Sequence, residues 1–332
     1  MSTDVPKRPR FRLSLRAMLL LILCLGLWMG HEVNSARRQQ RAVAAIKAYG
    51  GYVHYDYELV KGSVVPGRKP WVPRWLRSRL GDDYFVTVTQ VNLVYEVGGA
   101  SQGLTKRNDP SVLSALRDLP WVKWLFLHER QVTDDSLALL KGLKGLEELS
   151  LVRAEQLTDA GLAHIAELKS LKSLTIEAGE NTKLTDAGLV NFSGLHRLQV
   201  LYLWPGSAIT DAGLAHIAGL TELNELTIFN GTFTDTGIGY LSRLVKLKEL
   251  HLPFSAYHFT EGGMARLQRL TNLVVLDLQG PGLPARGLAH LASLPNLRQL
   301  WLAQASPLFH HESGIRDAVE RLMRANPNLT VR

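Results

Sequence analysis

The sequence predicts an α/β solenoid, in which a curved parallel sheet lies on the inside and short helices lie on the outside. The first observation is a leucine pattern, L-x-x-L-x-L, that recurs eight times after residue 110 at spacings of 24 to 27 residues. The second is a Thr-Asp dipeptide followed by a short helical stretch in most of these units. Because one such unit cannot bury its own apolar face, several must stack and share a core. We therefore predict a single repeat domain over residues 110–332.

The N-terminal segment predicts a membrane anchor. Five basic residues end at Arg16, and an uncharged, apolar run follows from Ala17 to Gly30. This order is typical of a signal sequence or a signal anchor, and it makes a buried core helix the weaker interpretation. Because no A-x-A-like cleavage site follows, we predict an uncleaved transmembrane anchor at 17–33 behind a basic cytoplasmic region at 1–16. A cleaved signal sequence on a secreted protein is the alternative.

The distribution of charge bears on topology and on partners. Residues 1–80 contain 15 Lys and Arg against 4 Asp and Glu, whereas the remaining residues contain 23 against 26. The basic excess is therefore confined to the N-terminal quarter, and the repeat domain has no electrostatic basis for binding nucleic acid. Slightly more basic residues precede the anchor than follow it closely, so we predict a single-pass protein with a cytoplasmic N-terminus and a periplasmic repeat domain.

Residues 36–100 predict a small α+β module next to the membrane. The stretch "ARRQQRAVAAIKAYGG" predicts a short helix, and the alternation in "YVHYDYELV" predicts a strand. A second helix is expected in "RWLRSRLGDD" and a second long strand in "YFVTVTQVNLVYEV". The Trp and Arg residues around the second helix suit either a membrane surface or a cap on the open end of the solenoid. We favour the cap.

The unit "LTDAGLAHIA" at 157–166 shows what each position of the repeat contributes. Thr158 or Asp159 is expected to cap the helix, since both side chains accept hydrogen bonds from free amides at a helix start. Gly161 is small where the neighbouring repeat stacks, and Leu162 and Ile165 face the core. Each of these residues has a structural role, so function must be sought where the repeats differ.

The repeats differ on the inner face of the sheet. Strand alternation places the residues that flank each buried leucine pair on this concave face. The large side chains predicted there are Trp124, Phe126, His128, Tyr202, Trp204, Phe229, His251 and Trp301. Acidic residues lie among them, and aromatic side chains on a solvated face are typical of protein-binding surfaces. The alternative is that aromatic residues simply favour strands. We predict a protein or peptide ligand for this face.

These motifs resemble those of leucine-rich repeat proteins, in the variety with T-D-x-G-L helices that also occurs in the F-box-associated, cysteine-containing class. The whole chain resembles N-terminally anchored, planctomycete-type bacterial proteins, through "RLSLRAMLLLILCLGLW", "AIKAYGGYVHYDYE" and "LGDDYF". The resemblance implies a repeat protein that binds other proteins. No cysteines follow the strands and no F-box-like segment precedes the repeats, so a role as an F-box-like substrate adaptor is disfavoured. A secreted or cell-envelope structural or adhesion protein stays an alternative.

Catalytic motifs are not found in the sequence. There is no G-x-S-x-G, no P-loop and no H-E-x-x-H, and the single cysteine, Cys24, lies in the apolar segment. His164, His216 and His290 share one repeat register, but neighbours two repeats apart are about 10 Å from each other, too far to share a zinc ion. We therefore predict no enzyme activity, no cofactor, no metal and no small-molecule substrate.

Overall fold

A computed structural model describes residues 15–60, 63–65, 68–93, 111–128, 132–179, 184–205, 209–258, 260–280, 283–302 and 313–332. The predicted basic region before Leu15, the end of the module at 94–100 and the predicted start of the repeats at residue 110 lie outside these residues.

The structure is a leucine-rich repeat solenoid, which confirms the predicted fold class. Eleven strands form one sheet in the order β1-β4-β5-β6-β7-β8-β9-β11-β13-β14-β15, parallel except between the first two. The strands are β1 (Tyr52–Tyr55), β2 (Leu59–Val60), β3 (Ser63–Val64), β4 (Val88–Asn92), β5 (Trp124–His128), β6 (Glu148–Val152), β7 (Ser173–Glu177), β8 (Val200–Trp204), β9 (Glu225–Ile228), β10 (Thr232–Thr234), β11 (Glu249–His251), β12 (Ala256–His258), β13 (Val275–Leu278), β14 (Gln299–Leu302) and β15 (Thr330–Val331).

Short helices lie on the other side of the core. They are α3 (Ser111–Ser114), α4 (Asp134–Ala138), α5 (Asp159–Ile165), α6 (Asp186–Leu189), α7 (Asp211–Ile217), α8 (Asp235–Leu241) and α9 (Glu261–Arg266), followed by the longer α10 (Ser313–Ala325). Before the repeats lie the long helix α1 (Leu15–Tyr49) and the helix α2 (Arg74–Leu80), which has no buried residue. Between β13 and β14 a 3-10 helix, Ala285–Ser293, replaces the α-helix, and Pro284 provides no side-chain cap at its start. The leucines of the repeat pattern are fully buried between the sheet and these helices.

The Thr-Asp dipeptide links consecutive repeats. The threonine is the helix cap: the Thr158 hydroxyl accepts a hydrogen bond from the Ala160 amide at 3.2 Å. The aspartate does not cap its own helix but reaches the next repeat, where Asp134 accepts bonds from the Thr158 amide at 2.9 Å and the Thr158 hydroxyl at 2.6 Å. In the following repeats the amide and hydroxyl of the threonine donate the same pair of bonds to the aspartate one repeat earlier, which is Asp159, Asp186, Asp211 or Asp235.

The glycine of the T-D-x-G-L motif makes room for this link. A Cβ atom added to Gly161 would lie 2.3 Å from Oδ1 of Asp134, and one added to Gly237 would lie 2.1 Å from Oδ1 of Asp211. The close stacking expected at this glycine is therefore a contact with one group, the aspartate carboxylate of the preceding repeat.

Helix α1 differs from the prediction of an anchor followed by a separate short helix. It runs without a break from Leu15 to Tyr49, because no proline interrupts the chain between the two predicted segments. The first half is exposed and apolar, while Ala42, Val43 and Ile46 in the second half pack into the core. Among the described residues α1 is the one helix long and apolar enough to cross a membrane, a property that a signal sequence shares.

The module after α1 extends the sheet rather than forming a separate layer. Strand β1 pairs with β4, and β4 pairs in parallel with β5, the first repeat strand. Within the described residues both predicted strands differ from expectation: the first gives way to a 3-10 turn at Asp56–Glu58, and the second begins at Val88, after a 3-10 turn at Asp82–Tyr84. Trp71 and Trp75 are 82% and 65% exposed, so they do not cover the end of the solenoid.

Candidate binding face

The concave face is the side of the sheet opposite the buried leucines, and its side chains form three rows that cross the strands. The residues that start β5 and β6, Trp124 and Glu148, belong to the first row. Phe126 and Tyr202 belong to the second row, and Trp204 belongs to the third. All eight residues predicted for this face lie on it, each partly exposed. The structure divides them into three groups.

The central group is a stack of aromatic rings. The Phe229 ring lies 5.2 Å from Trp204 at an interplanar angle of 20° and 5.3 Å from Tyr202 at 56°. A fourth ring, Phe254, lies 6.3 Å from Phe229 and is 68% exposed. Offset and tilted arrangements at these distances are the favourable ones for aromatic pairs, so the stack is held in place before any ligand arrives.

Phe254 is the member that sequence alternation did not find, because it lies beyond the end of β11. Its backbone has a φ of 56°, in the left-handed region, like Arg153 and Asn230 at the same register of other repeats. A left-handed residue at a strand end turns the chain, and this turn brings the phenyl ring back over the face. The repeat register could have located the turn, but not the direction of the ring.

The second group is centred on His251. Its ring lies 3.5 Å from carboxylate oxygens of Glu249 and of Asp277, and it packs edge-on against Trp301 at 5.9 Å. Burial alone would lower the pKa of His251, but the hydrogen bonds to Asp277 and Glu249 outweigh it, and the pKa is raised. This group therefore fixes the orientation of Trp301 beside a carboxylate pair.

The third group lies on β5, where Trp124, Phe126 and His128 alternate with buried leucines. Small residues separate it from the central stack: Ser150 and Thr175 stand between Phe126 and Tyr202 in the second row. The eight predicted residues therefore do not form one continuous patch.

The charge of the concave face is negative. Its carboxylates are those of Glu148, Glu177, Glu225, Glu249 and Asp277, and no Lys or Arg occupies the described positions of the three rows between β4 and β14. Burial raises the pKa of Glu148, and burial together with the charge of Glu249 raises the pKa of Glu225. These carboxylates are thus incompletely solvated and would gain from a cationic partner.

No protein-family model and no curated protein matches this chain. Among solved structures, it is similar to internalin C2 of Listeria monocytogenes, with 28% identity over 58% of this chain and 83% of that chain, at a TM-score of 0.44. It is also similar to the internalin inlF of the same organism, with 20% identity over 66% of this chain and 69% of that chain, at a TM-score of 0.44. At this TM-score neither similarity adds to what the geometry of the sheet shows.

The described residues contain no group of three or more His, Cys, Asp or Glu placed to hold a metal ion. His290, on the outer side of the repeats, instead contacts Glu261 at 3.5 Å.

Proposed function

We propose that this chain is a non-catalytic, membrane-anchored leucine-rich repeat protein that binds a protein or peptide through its concave face. The observation that carries the proposal is the central stack of Tyr202, Trp204, Phe229 and Phe254. A cluster of rings this large on a partly solvated sheet provides the kind of aromatic anchor at which binding energy concentrates in protein interfaces. The carboxylates around it favour a partner with basic residues.

The extent of the face supports a polypeptide ligand rather than a small molecule. The aromatic groups are spread from β5 to β14, across eight consecutive strands of the sheet. At about 4.8 Å between strands, this span is roughly 34 Å, the length of an extended peptide of about ten residues.

A crosslinking experiment tests this function in the native membrane. A photo-reactive amino acid at Thr175, beside Tyr202 in the second row, should give a discrete crosslinked product. In a Trp204→Ala, Phe229→Ala background the yield should fall at least tenfold, because removing an aromatic hot spot costs about 2 kcal/mol or more. Trp121→Ala is the matched control, since Trp121 is exposed and lies outside the three rows. Equal yields in all three proteins would rule the concave stack out as the binding surface.

We also propose that α1 is retained as the anchor, with a cytoplasmic N-terminus and the repeats outside. Leu15 to Val33 spans about 28 Å at 1.5 Å per residue, close to the hydrocarbon thickness of a bilayer. The same helix continues into the folded module, where Gln39 donates hydrogen bonds to Asp83 and to the Val86 carbonyl. This continuity would hold the repeat domain near the membrane surface.

Membrane fractionation with N-terminal sequencing tests the anchor. We expect the mature protein to resist carbonate extraction and to keep residues 1–14. Protease added to intact spheroplasts should digest the repeats. A soluble mature protein that begins near Ala36 would instead establish the secreted alternative.

A further inference from the structure

A cavity of about 610 Å³ lies at the start of the solenoid, between the β2–β3 hairpin and the first repeat strands. The side chains of its lining include Asp56, Thr89, Lys123, Trp124, Glu147 and Glu148. It lies outside the central aromatic stack, at the other end of the concave face. Its lining contains three carboxylates, and the structure pairs only one of them, that of Glu147, with lysines among the described residues.

One carboxylate of the lining is already neutralised. Glu147 accepts a hydrogen bond from Lys172 at 2.6 Å and lies 3.5 Å from Lys123. The hydrogen bond from Lys172 lowers the pKa of Glu147. The Lys123 ammonium also lies 5.9 Å from the centroid of the Trp124 ring. The charge of the Glu147 carboxylate is therefore compensated within the protein.

Two other carboxylates of the lining form no ion pair with the part of the chain that the structure describes. Neither Asp56 nor Glu148 forms an ion pair with any residue that the structure describes. Asp56 accepts a hydrogen bond from the Tyr57 amide, which occupies one oxygen. Glu148 is partly buried, and this burial raises its pKa. The cavity thus has two uncompensated acidic groups, one of them incompletely hydrated.

A buried hydroxyl in the same cavity also has no partner. Thr89 is 8% exposed, and its Oγ1 forms no hydrogen bond with the described residues. The side-chain oxygen of the next residue, Gln90, is likewise buried and unpaired, and Gln90 stands opposite Trp124 in the β4–β5 register. Because buried polar atoms are normally satisfied, the unpaired hydroxyl of Thr89 in a cavity with two carboxylates indicates a ligand with several donors.

We propose that this cavity binds an arginine side chain of the polypeptide partner, with the guanidinium between Asp56 and Glu148 and the aliphatic stem against Trp124. A guanidinium offers five N–H donors in a plane, is weakly hydrated and stacks on aromatic rings, which matches two carboxylates, a free hydroxyl and an indole. The inference rests on the proposed function, because it assigns one contact of the partner on the concave face. It adds that this end of the concave face selects partners with an arginine side chain.

The test uses the full-length protein in detergent micelles, labelled with 5-fluorotryptophan. The chain has seven tryptophans, and the Trp124 fluorine resonance is assigned by its loss in Trp124→Phe. The probe is the capped tripeptide acetyl-Gly-Arg-Gly-amide, which should shift the Trp124 resonance saturably at millimolar concentration. The same peptide with citrulline, which has nearly the same shape without the charge, should leave the resonance unchanged. An equal shift with citrulline would overturn the proposal.

Paired carboxylate variants locate the contact. Glu148→Gln and Asp56→Asn should each weaken tripeptide binding about tenfold, as expected for loss of a charge-assisted hydrogen bond. Glu177→Gln removes a carboxylate of the same face away from the cavity and should have no such effect. Unchanged binding in both cavity variants would overturn the assignment.

Two further measurements separate the sources of the ligand and the two proposals. Methylguanidinium that binds as tightly as the tripeptide would overturn the polypeptide source in favour of a free guanidinium compound. The Trp204→Ala, Phe229→Ala double variant should leave tripeptide binding unchanged while it lowers the yield of the crosslink from Thr175. The proposal for the cavity and the proposal for the central stack can therefore be refuted separately.

Discussion

Replacing Phe192 with alanine should lower the free energy of unfolding by about 3–5 kcal/mol, the usual cost of deleting a buried phenyl ring. Phe192 is fully buried and lies in the 3-10 turn that follows α6. In the other repeats the same register holds leucine or isoleucine, such as Ile165 and Ile217. The larger ring occurs in the one repeat of this comparison where the last turn, Val190–Phe192, is a 3-10 turn, whereas α5 and α7 stay α-helical through Ile165 and Ile217.

Phe192 lies in a central repeat, so its replacement should affect ligand binding as well as stability. Repeats contact only their neighbours, so a cavity in a central repeat weakens both interfaces of that repeat. The next strand along the chain is β8, which contributes Tyr202 and Trp204 to the aromatic stack. We therefore expect Phe192→Ala to weaken ligand binding as well, through loss of order in β8.

Urea unfolding of the full-length protein in mild detergent, followed by circular dichroism, measures the effect. Phe254→Ala is the matched control: it removes the same atoms from an exposed position and should change stability by less than about 0.5 kcal/mol. Phe254→Ala should instead weaken binding. A loss below about 1 kcal/mol for Phe192→Ala would show that neighbouring repeats close the cavity.

The repeat domain could be predicted well because its determinants are local and periodic. Leu149 and Leu151 mark a strand whichever residues surround them, and the pattern recurs often enough to align every unit. The same alignment placed Trp204 and Trp301 on the concave face through strand alternation. Stacking between repeats then follows from the register, without any long-range information.

The N-terminal module could not be predicted as well because its contacts are long-range. The strand expected over "YVHYDYELV" ends at Tyr55. There the Tyr55 amide donates a hydrogen bond of 2.9 Å to the Glu58 carboxylate, and this bond closes the turn Asp56–Glu58. Alternation of side chains does not reveal such a bond. The cavity has the same origin: Thr89 and Glu148 are brought together by the pairing of β4, β5 and β6, and no local pattern joins them.

The second large effect concerns the link between repeats, where a substitution that normally stabilises a helix should do the opposite. Glycine to alanine inside a helix usually raises stability by up to about 1 kcal/mol. In α8, Gly237→Ala should instead lower it by about 1–3 kcal/mol, the usual cost of overpacking. The new Cβ would lie 2.1 Å from Oδ1 of Asp211 and 2.9 Å from Cδ1 of Leu214. Asp211 cannot move away freely, because it accepts hydrogen bonds from both the amide and the hydroxyl of Thr234.

Gly239→Ala, two residues along the same helix, is the matched control. Its Cβ would lie 2.9 Å from Nη1 of Arg266, the exposed end of a long side chain that is hydrogen-bonded to the Asp235 carbonyl. This end can shift at the cost of that one exposed bond, so Gly239→Ala should destabilise the protein much less than Gly237→Ala. A double-mutant cycle then isolates the cause: in an Asp211→Ala background the penalty of Gly237→Ala should shrink by at least about 1 kcal/mol, as expected for residues in direct contact. Additive effects of the two substitutions would mean that the packing of Leu214, and not the aspartate link, requires glycine at this position. A coupled result would explain the T-D-x-G-L motif as one device, in which threonine caps a helix, aspartate holds the next repeat and glycine leaves room for the aspartate of the repeat before.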